Sequence, residues 1–328
     1  MLEDLQSYYS VSIHPSRINV YYQTIGARRY SPPAHERPEQ FKQNAARGKI
    51  SPAAKRKITR AIDYITYLAK PKKLPNTVHG KNYTFRLNFI TLTLSSPQVH
   101  SDQVIKSELL HQFFIEMARK WKVPTYIWRA EKQKNGNIHF HIITGKFIPW
   151  NELRNVWNRI QQKLGYVTKY RENRLNWHRE GFKYDSDAPP AWTRAKQLKA
   201  YKDGMRTDWD NPNSTDVHSI RHVGNIRAYF VKYMTKTQTE SALAGRLWGC
   251  SVNLSHLSGA RTDVDSKLEK ELETIFHHKH CWTLQTQYYT VYCIDHNVVK
   301  ALGCEMLLQC FDDYIRQKFP DQYPPTLF

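Results

Sequence analysis

The sequence has no apolar run long enough to cross a bilayer, since the longest one, Leu87 to Leu94, is short and interrupted by threonine. Its five cysteines form no CxxC pair, and their odd number favours reduced thiols over a disulfide framework. The first ten residues, MLEDLQSYYS, are acidic where a secretory signal is basic and then apolar. We therefore expect no membrane partner and a cytoplasmic location.

Acidic residues are also scarce. The 328 residues include 49 Lys and Arg against 29 Asp and Glu, a formal net charge of +20. Residues 1–260 account for +23 of this charge, and residues 261–328 carry −3. A generally basic surface would give the same excess, but tyrosine, tryptophan and arginine alternate along the basic part, and nucleic acids are bound by that mixture of residue types. The composition thus favours a nucleic-acid partner.

Three segments are predicted along the chain. Residues 1–80 form a basic arm, irregular over 1–45, with a helix that begins at Ser51-Pro52 and ends before Pro71. Residues 81–260 form the central domain, in which 165–212 have no clean periodicity and are expected to be an insertion or long loop. Residues 261–328 are expected to be a mostly helical C-terminal extension, and their role cannot be inferred.

The central domain alternates strands and helices, which predicts an α+β fold with a central antiparallel sheet flanked by helices. A buried helical stripe is marked by Ile105, Leu109, Phe113, Met117 and Trp121. The other predicted elements are strands at Phe89–Leu94, Thr125–Lys132, Asn137–Thr144 and Asp216–Ile220, and helices at Trp150–Leu164 and Ile226–Thr237.

The strand Ile138-His139-Phe140-His141-Ile142 places two histidines on one face, where they can converge on one divalent cation. Histidines on the solvated face of a half-buried strand would give the same pattern. Glu131, on the preceding strand, can join them only in one register. A two-residue turn at Asn135-Gly136 puts it opposite Phe140, whereas a three-residue loop with Gly136 left-handed puts it opposite His139.

In the second register, two histidines and one carboxylate leave coordination positions open for substrate oxygens. This ligand set suits Mg²⁺ or Mn²⁺ bound together with a phosphate better than a closed structural zinc site. Weaker candidates are Asp216 and His218, on the strand before the last helix, and a histidine and cysteine cluster at residues 277–281.

The segment Tyr229-Phe230-Val231-Lys232-Tyr233-Met234-Thr235-Lys236 contains the unit Tyr-x-x-Lys twice. Tyr229 and Tyr233 are four residues apart and therefore share one helical face. Lys232 and Lys236 each follow a tyrosine by three residues, close enough to neutralise a phosphate or favour a phenolate. An amphipathic helix with half-buried tyrosines and surface lysines is the alternative interpretation.

Taken together, the segments FITLTL, WRAEKQKNGNIHFHII and YFVKYMTK resemble the HUH-endonuclease rolling-circle replication initiators, in order and spacing. The resemblance covers about residues 82–255 and is nearest to the initiators of single-stranded DNA phages and related plasmids. It implies a ferredoxin- or RRM-like sheet, a metal site at Glu131, His139 and His141, and a nucleophile at Tyr229 or Tyr233.

The implied activity is nicking and rejoining of single-stranded DNA at a replication origin through a covalent 5′-phosphotyrosine, in the cytoplasm of a bacterial host. The implied phosphotyrosine bond keeps the energy of the cleaved bond, so no ATP is expected to be needed. No GxxxxGK[ST] loop occurs in the sequence, so a built-in helicase is not supported, and the helicase and DNA polymerase are expected to be separate proteins. The alternatives are a tyrosine transposase or relaxase with the same chemistry, and a non-catalytic nucleic-acid-binding protein on the same sheet.

Overall fold

A computed structural model describes residues 7–24, 50–74, 83–220, 226–235, 243–262, 264–286 and 289–320. These residues form two compact units. One contains the described residues of Met1–Gln40, Ala53–Leu68 and Ser251–Phe328, and the other contains those of Phe41–Pro52 and Ala69–Cys250. The domain boundaries expected from the sequence, at residues 81 and 261, concern functional segments and stay predictions. Within the described ranges, no helix has the length and apolar character required to cross a membrane.

The secondary-structure elements are numbered in chain order. The strands are β1 Ser7–Ile13, β2 Arg17–Thr24, β3 Lys72–Leu74, β4 Tyr83–Phe85, β5 Leu87–Thr93, β6 Tyr126–Lys132, β7 Ile138–Thr144, β8 Thr215–Ile220, β9 Trp248–Cys250, β10 Ala260–Thr262, β11 Trp282–Gln285 and β12 Tyr289–Asp295. The helices are α1 Pro52–Leu68, α2 Asp102–Val104, α3 His111–Trp121, α4 Trp150–Gln162, α5 Tyr166–Trp177, α6 Arg194–Arg206, α7 Ile226–Thr235, α8 Val252–Ser255, α9 Ser266–Phe276, α10 His296–Ala301 and α11 Glu305–Lys318. A π-helical segment, Ile105–Leu110, joins α2 to α3.

The unit that contains Ala69–Cys250 is built on a five-stranded antiparallel sheet in the order β8-β5-β7-β6-β9. Its first four strands and the helices between them follow the β-α-β-β-α-β pattern of ferredoxin-like folds. The predicted fold class, an antiparallel sheet flanked by helices, is therefore confirmed. A separate two-stranded ladder joins β3 to β4.

One face of this sheet is covered by α3 and α4. Alternate strand residues such as Leu92, Phe140 and Ile142 are fully buried there against Phe113 and Trp157. The helical stripe predicted from periodicity is buried along its whole length: Ile105, Leu109, Phe113, Met117 and Trp121. Because side chains alternate along a strand, the same burial fixes which residues lie on the opposite face, where the histidines are.

Residues 165–212 were predicted to be an insertion or a long loop. The long loop was wrong, because the segment contains α5 and α6, and the insertion stays a prediction. The helical periodicity is weak because few residues of these helices are buried. In α6 the one buried residue is Gly204, which packs under Trp209: a Cβ at this glycine would lie 2.3 Å from the indole ring. Aromatic rings outside the helices, those of His178 and Trp209, contact each other and the tyrosines of both helices, and so hold this segment together. Residues outside a helix do not add to its periodicity, so the sequence shows no clear helical repeat.

The other unit is built on the sheet β10-β1-β2-β12-β11. The prediction of an irregular segment over 1–45 was wrong for Ser7–Thr24, because β1 and β2 form a hairpin. Its buried residues alternate, at Val11, Ile13, Ile18 and Val20, but the strands that flank it come from the C-terminal segment. The helix predicted at 51–70 is present as α1, and the C-terminal segment carries the predicted helices in addition to β11 and β12.

Candidate active site

The turn between β6 and β7 sets the register on which the candidate site depends. The Gln133 amide donates to the Asn137 carbonyl, and the Gly136 amide donates to the Gln133 carbonyl. Gly136 has φ +84°, a left-handed conformation that glycine adopts without strain. The three-residue loop that these bonds close pairs Glu131 directly with His139. Of the two registers that the sequence left open, the structure therefore has the one that the metal hypothesis requires.

Three ligand-bearing side chains converge on the face opposite the core. Glu131 Oε2 lies 3.4 Å from His139 Nε2 and 3.4 Å from His141 Nε2. One ligand atom from each residue falls within 4.8 Å of the others, and all three side chains are about one-sixth exposed. Two imidazole nitrogens and one carboxylate oxygen in a half-buried, solvent-reached cluster form a donor set that a divalent cation fits.

No second group of three His, Cys, Asp or Glu residues comes this close in the part of the chain that the structure describes. The histidines and the cysteine at residues 277–281 therefore do not form a group of this kind. Cys281 lies beside Cys293 on the neighbouring strand, and burial raises the pKa of both thiols above their ordinary value.

The surroundings of Glu131 favour its ionised form. Burial raises the pKa of this carboxyl, but hydrogen bonds from His139 and His141 and the positive charge of Arg129 outweigh burial and hold the pKa far below its ordinary value. Glu131 is therefore an anion at neutral pH, as a metal ligand must be.

The strand on the other side of β7 orients one of the histidines. Thr91, which pairs with His141 across β5 and β7, has its Oγ1 3.1 Å from His141 Nδ1. When Nε2 donates to Glu131, Nδ1 accepts from the threonine hydroxyl; for metal binding the ring proton would move to Nδ1, which would then donate to the threonine and leave Nε2 free for the ion. Outer hydrogen bonds of this kind fix the tautomer and orientation of metal-binding histidines.

Arg129 connects this cluster to the tyrosine helix. It lies two residues before Glu131 on β6, on the same face, and its side chain is 2% exposed. Its Nη2 is 3.2 Å from Glu131 Oε1, and its Nη1 donates to the main-chain oxygen of Tyr233 at 2.8 Å. One buried guanidinium therefore holds both the carboxylate and the last turn of α7, which the sequence reasoning did not identify.

Phe89 provides the second connection to α7. Its ring stacks on His141 with centroids 5.1 Å apart, and it packs against Phe230 at 6.0 Å and Tyr233 at 6.3 Å. Phe89 is an apolar residue on the otherwise polar face of β5. This is the signal in the sequence that another element covers that face. Packing on Phe89 brings α7 over the same side of the sheet as the histidines.

The two tyrosines are neighbours on α7, with ring centroids 4.6 Å apart. Tyr229 is half-buried, and Tyr233 is 41% exposed. Burial raises the pKa of Tyr229, and the charge and hydrogen bond of Tyr233 raise it further, so its phenol is neutral at neutral pH. Lys232 is exposed on this helix, and Lys236 lies outside the described residues.

Asp216 and His218 lie at the edge of the same face. Asp216 pairs with Thr91, which pairs with His141, so the three residues form one row across the sheet. Asp216 Oδ2 and His218 Nε2 are 2.6 Å apart, and both side chains are well exposed. This couple is beside the cluster of Glu131 and the two histidines but does not belong to it.

Residues 87–238 match the model of a family described as replication-associated proteins of the ORF2 and gene-2-protein type. The matched segment is just under half of the 328-residue chain, and it includes the ferredoxin-like strands, the metal-ligand candidates and both tyrosines. No curated protein and no solved structure gave a match. The family match supports a rolling-circle replication initiator.

Proposed function

We propose that the protein nicks single-stranded DNA at a replication origin and later rejoins it, through a tyrosine that becomes linked to the 5′-phosphate. One observation carries the proposal: Phe89 contacts both His141 and Tyr233, so the tyrosine helix and the three ligand candidates share one face of the sheet. A phosphate on that face meets a cation site and a phenol together, the combination required for covalent phosphodiester cleavage.

The residues that would hold Mg²⁺ or Mn²⁺ are Glu131, His139 and His141. Their donor atoms fit such an ion, and only three of its coordination positions would be filled by protein. When bound, the ion would supply positive charge that polarises the scissile phosphate. Arg129 keeps Glu131 ionised and in place, and Thr91 orients His141.

The chemical step exchanges one phosphodiester bond for another. The phenolic oxygen of Tyr229 or Tyr233 attacks the phosphorus atom, the bond from phosphorus to the 3′-oxygen breaks, and the 3′-oxygen leaves as a hydroxyl. The proton lost by the phenol equals the one gained by the leaving oxygen. The tyrosine–phosphate diester conserves the energy of the cleaved bond, so neither ATP nor another energy source is required.

A second tyrosine on the same face permits rejoining. After one round of synthesis, the other phenol attacks the regenerated junction, and the new 3′-hydroxyl displaces the first tyrosine from its phosphate. Lys232 and Lys236 are proposed to stabilise the phenolate and phosphate charges. A separate helicase and polymerase would unwind and extend the DNA.

The experiment uses a library of single-stranded 60-nucleotide DNA with a random centre and a 3′-fluorophore, incubated with the protein and Mn²⁺. A 5′-phosphotyrosine link retains the 3′ label, so the adduct appears as a fluorescent protein band on a denaturing gel. We expect the band in wild type and in Tyr289→Phe, which changes an exposed tyrosine of β12 in the other unit, and none in Tyr229→Phe/Tyr233→Phe or in EDTA.

The same gel separates the alternatives. Salt-sensitive binding without an adduct would favour a non-catalytic nucleic-acid-binding protein. A transposase or relaxase would form the adduct but select transposon ends or a transfer origin. Sequencing the captured DNA distinguishes these targets from a replication origin.

A further inference from the structure

Helices α4, α5 and α6 and the loop before β8 enclose a cavity of about 890 Å³. The cavity belongs to the unit that contains the tyrosine helix, but none of the metal-ligand candidates or tyrosines of the site lines it. A volume of this size holds at least one nucleotide. The lining is unusually aromatic, and the proposed nicking chemistry does not explain it.

Three of the chain's nine tryptophans line the cavity while remaining substantially exposed. Trp150, Trp177 and Trp192 are 60%, 41% and 48% exposed. Exposure of large apolar rings around one concavity marks a binding surface, because a folding core would bury them. The planar faces of such rings accept stacked nucleobases of any sequence.

Basic side chains lie over two of these tryptophan rings. Arg154 lies over the ring of Trp150 at 4.8 Å, and Lys183 lies over that of Trp177 at 4.2 Å. Two of the three stacking surfaces therefore have a positive charge beside them, which can contact the phosphates of a bound strand.

Two N–H donors of residues in the lining have no acceptor. Trp209 is 5% exposed, and its Nε1 has no hydrogen-bond partner among the described residues. Arg154 Nε is also buried and has no such partner, although its Nη2 donates to Asn213. Both nitrogens have almost no accessible surface, so they would meet a ligand acceptor only if these side chains move. Because buried donors without acceptors are costly, such a movement would be favoured.

The remaining polar residues select among acceptor-bearing ligands. The lining includes the carboxylates Asp185, Asp187 and Asp203 and the amide of Asn211. Four cations, Arg154, Arg174, Lys183 and Arg206, face these three carboxylates, so the lining has little of the net positive charge that a free di- or triphosphate requires. Carboxylates and amides bind the amino and carbonyl groups on base edges, so the polar groups fit bases that are not paired.

The cavity is connected to the candidate active site through the sheet. Ser214, next to the lining residue Asn213, accepts a hydrogen bond on its carbonyl from Thr93 Oγ1, and Thr93 pairs with His139. Two strand spacings separate Ser214 from His139, about 10 Å. Because α4 covers the opposite face of the sheet, a single strand that lies on the histidine face would pass around the edge strand β8 to enter the cavity.

We propose that this cavity binds unpaired bases of the single strand that is cut, by stacking on Trp150, Trp177 and Trp192. The proposal rests on the proposed function only in taking single-stranded DNA as the partner. It assigns the segment 165–212 a role in holding the substrate, separate from the chemistry.

The test is binding of a fluorescent 30-nucleotide single-stranded DNA of mixed sequence, measured by anisotropy. We expect Trp150→Ala/Trp192→Ala to weaken binding at least tenfold, with an unchanged salt dependence, since stacking and not phosphate contact is lost. Trp282→Ala, which removes a 58% exposed tryptophan of β11, is the matched control and should bind like wild type. Trp150→Phe/Trp192→Phe should recover most of the affinity.

A matched oligonucleotide with abasic sites separates base binding from backbone binding. Wild type should bind it at least tenfold more weakly, and the alanine variant should show little further loss. Equal affinity of wild type and the alanine variant, or equal affinity for the intact and abasic strands, would overturn the proposal. An RNA strand of the same sequence that binds more tightly than the DNA would also overturn it.

The two experiments distinguish a failure of the cavity proposal from a failure of the nicking proposal. If the tryptophan dependence holds but wild type forms no covalent adduct, the cavity stands and the nicking function falls. If wild type forms the adduct and the alanine variant binds and reacts at the wild-type level, the nicking function stands and the cavity proposal falls.

Discussion

The guanidinium of Arg129 donates to the main-chain oxygen of Tyr233 across 2.8 Å while its other terminal nitrogen lies 3.2 Å from Glu131. The position of the tyrosine helix and that of the candidate metal-ligand carboxylate therefore depend on one buried side chain. A planar guanidinium can satisfy both partners at once, which an ammonium group cannot do in the same geometry.

We therefore expect Arg129→Lys to separate chemistry from metal binding. Lysine keeps the positive charge near Glu131 but cannot also reach the Tyr233 carbonyl, so the rate of adduct formation should fall at least tenfold. Mn²⁺ affinity, measured by calorimetry, should change by less than threefold. An equal loss of rate and of Mn²⁺ affinity would mean that Arg129 acts through Glu131 alone.

Thr91→Val tests whether the Thr91 hydroxyl orients His141, the histidine that stacks on Phe89, for metal binding. Valine is nearly isosteric but removes the hydroxyl that bonds to His141 Nδ1, and loss of such an outer partner typically weakens metal binding about 10- to 100-fold. Thr93→Val is the matched control, because that hydroxyl bonds to the Ser214 carbonyl and not to a histidine. Mn²⁺ titration of both variants is the measurement, and similar affinities in the two would remove Thr91 from this role.

Much of this site can be predicted from the sequence, because its geometry is local. The pair His139 and His141 follows from strand alternation, and the left-handed Gly136 sets the register that brings Glu131 beside them. The neighbouring tyrosines follow from helical periodicity. Each of these relationships involves residues no more than ten positions apart.

The parts that sequence reasoning missed depend on distant residues. Arg129 and Tyr233 are 104 positions apart, and nothing in either segment specifies the other. The hairpin of β1 and β2 has alternating buried residues, but its partner strand β12 lies more than 260 residues further along. The helices of 165–212 are held by rings such as His178 and Trp209, which stack at 5.1 Å and impose no helical repeat.

Gly136→Ala should destabilise the turn that sets the register. The open space around a Cβ there excludes a clash, so the cost is the left-handed backbone conformation alone, about 1–2 kcal/mol. Gly136→Asn should cost less, since asparagine tolerates this conformation. Urea unfolding measures both. An alanine variant as stable as wild type would contradict the left-handed turn.

The unit formed by β1, β2 and the C-terminal segment should lose stability in acid. Burial, and then the charges of Arg60 and Arg17, lower the pKa of His14 to about 4. The unfolded chain takes up a proton near pH 6.5 and the folded one only near pH 4, so the contribution is complete above pH 6.5 and is lost between these values. The loss is on the order of 3 kcal/mol.

Urea unfolding at pH 7, 5.5 and 4.5 measures this dependence. His14→Gln should reduce the slope of unfolding free energy against pH in that window, whatever its effect on stability at pH 7. The residual slope would come from His296, whose pKa burial also lowers. An unchanged slope in His14→Gln would contradict the assignment.

In the proposed reaction a tyrosine of α7 becomes linked to DNA, and peptide mass spectrometry of the captured adduct identifies that tyrosine. Trypsin cleaves after Arg227, Lys232 and Lys236, so Tyr229 and Tyr233 fall in different peptides, AYFVK and YMTK. After nuclease digestion of the DNA, we expect a nucleotide 5′-phosphate on one or both of these peptides, absent when Mn²⁺ is omitted. A nucleotide attached to any other peptide, with both of these unmodified, would contradict it.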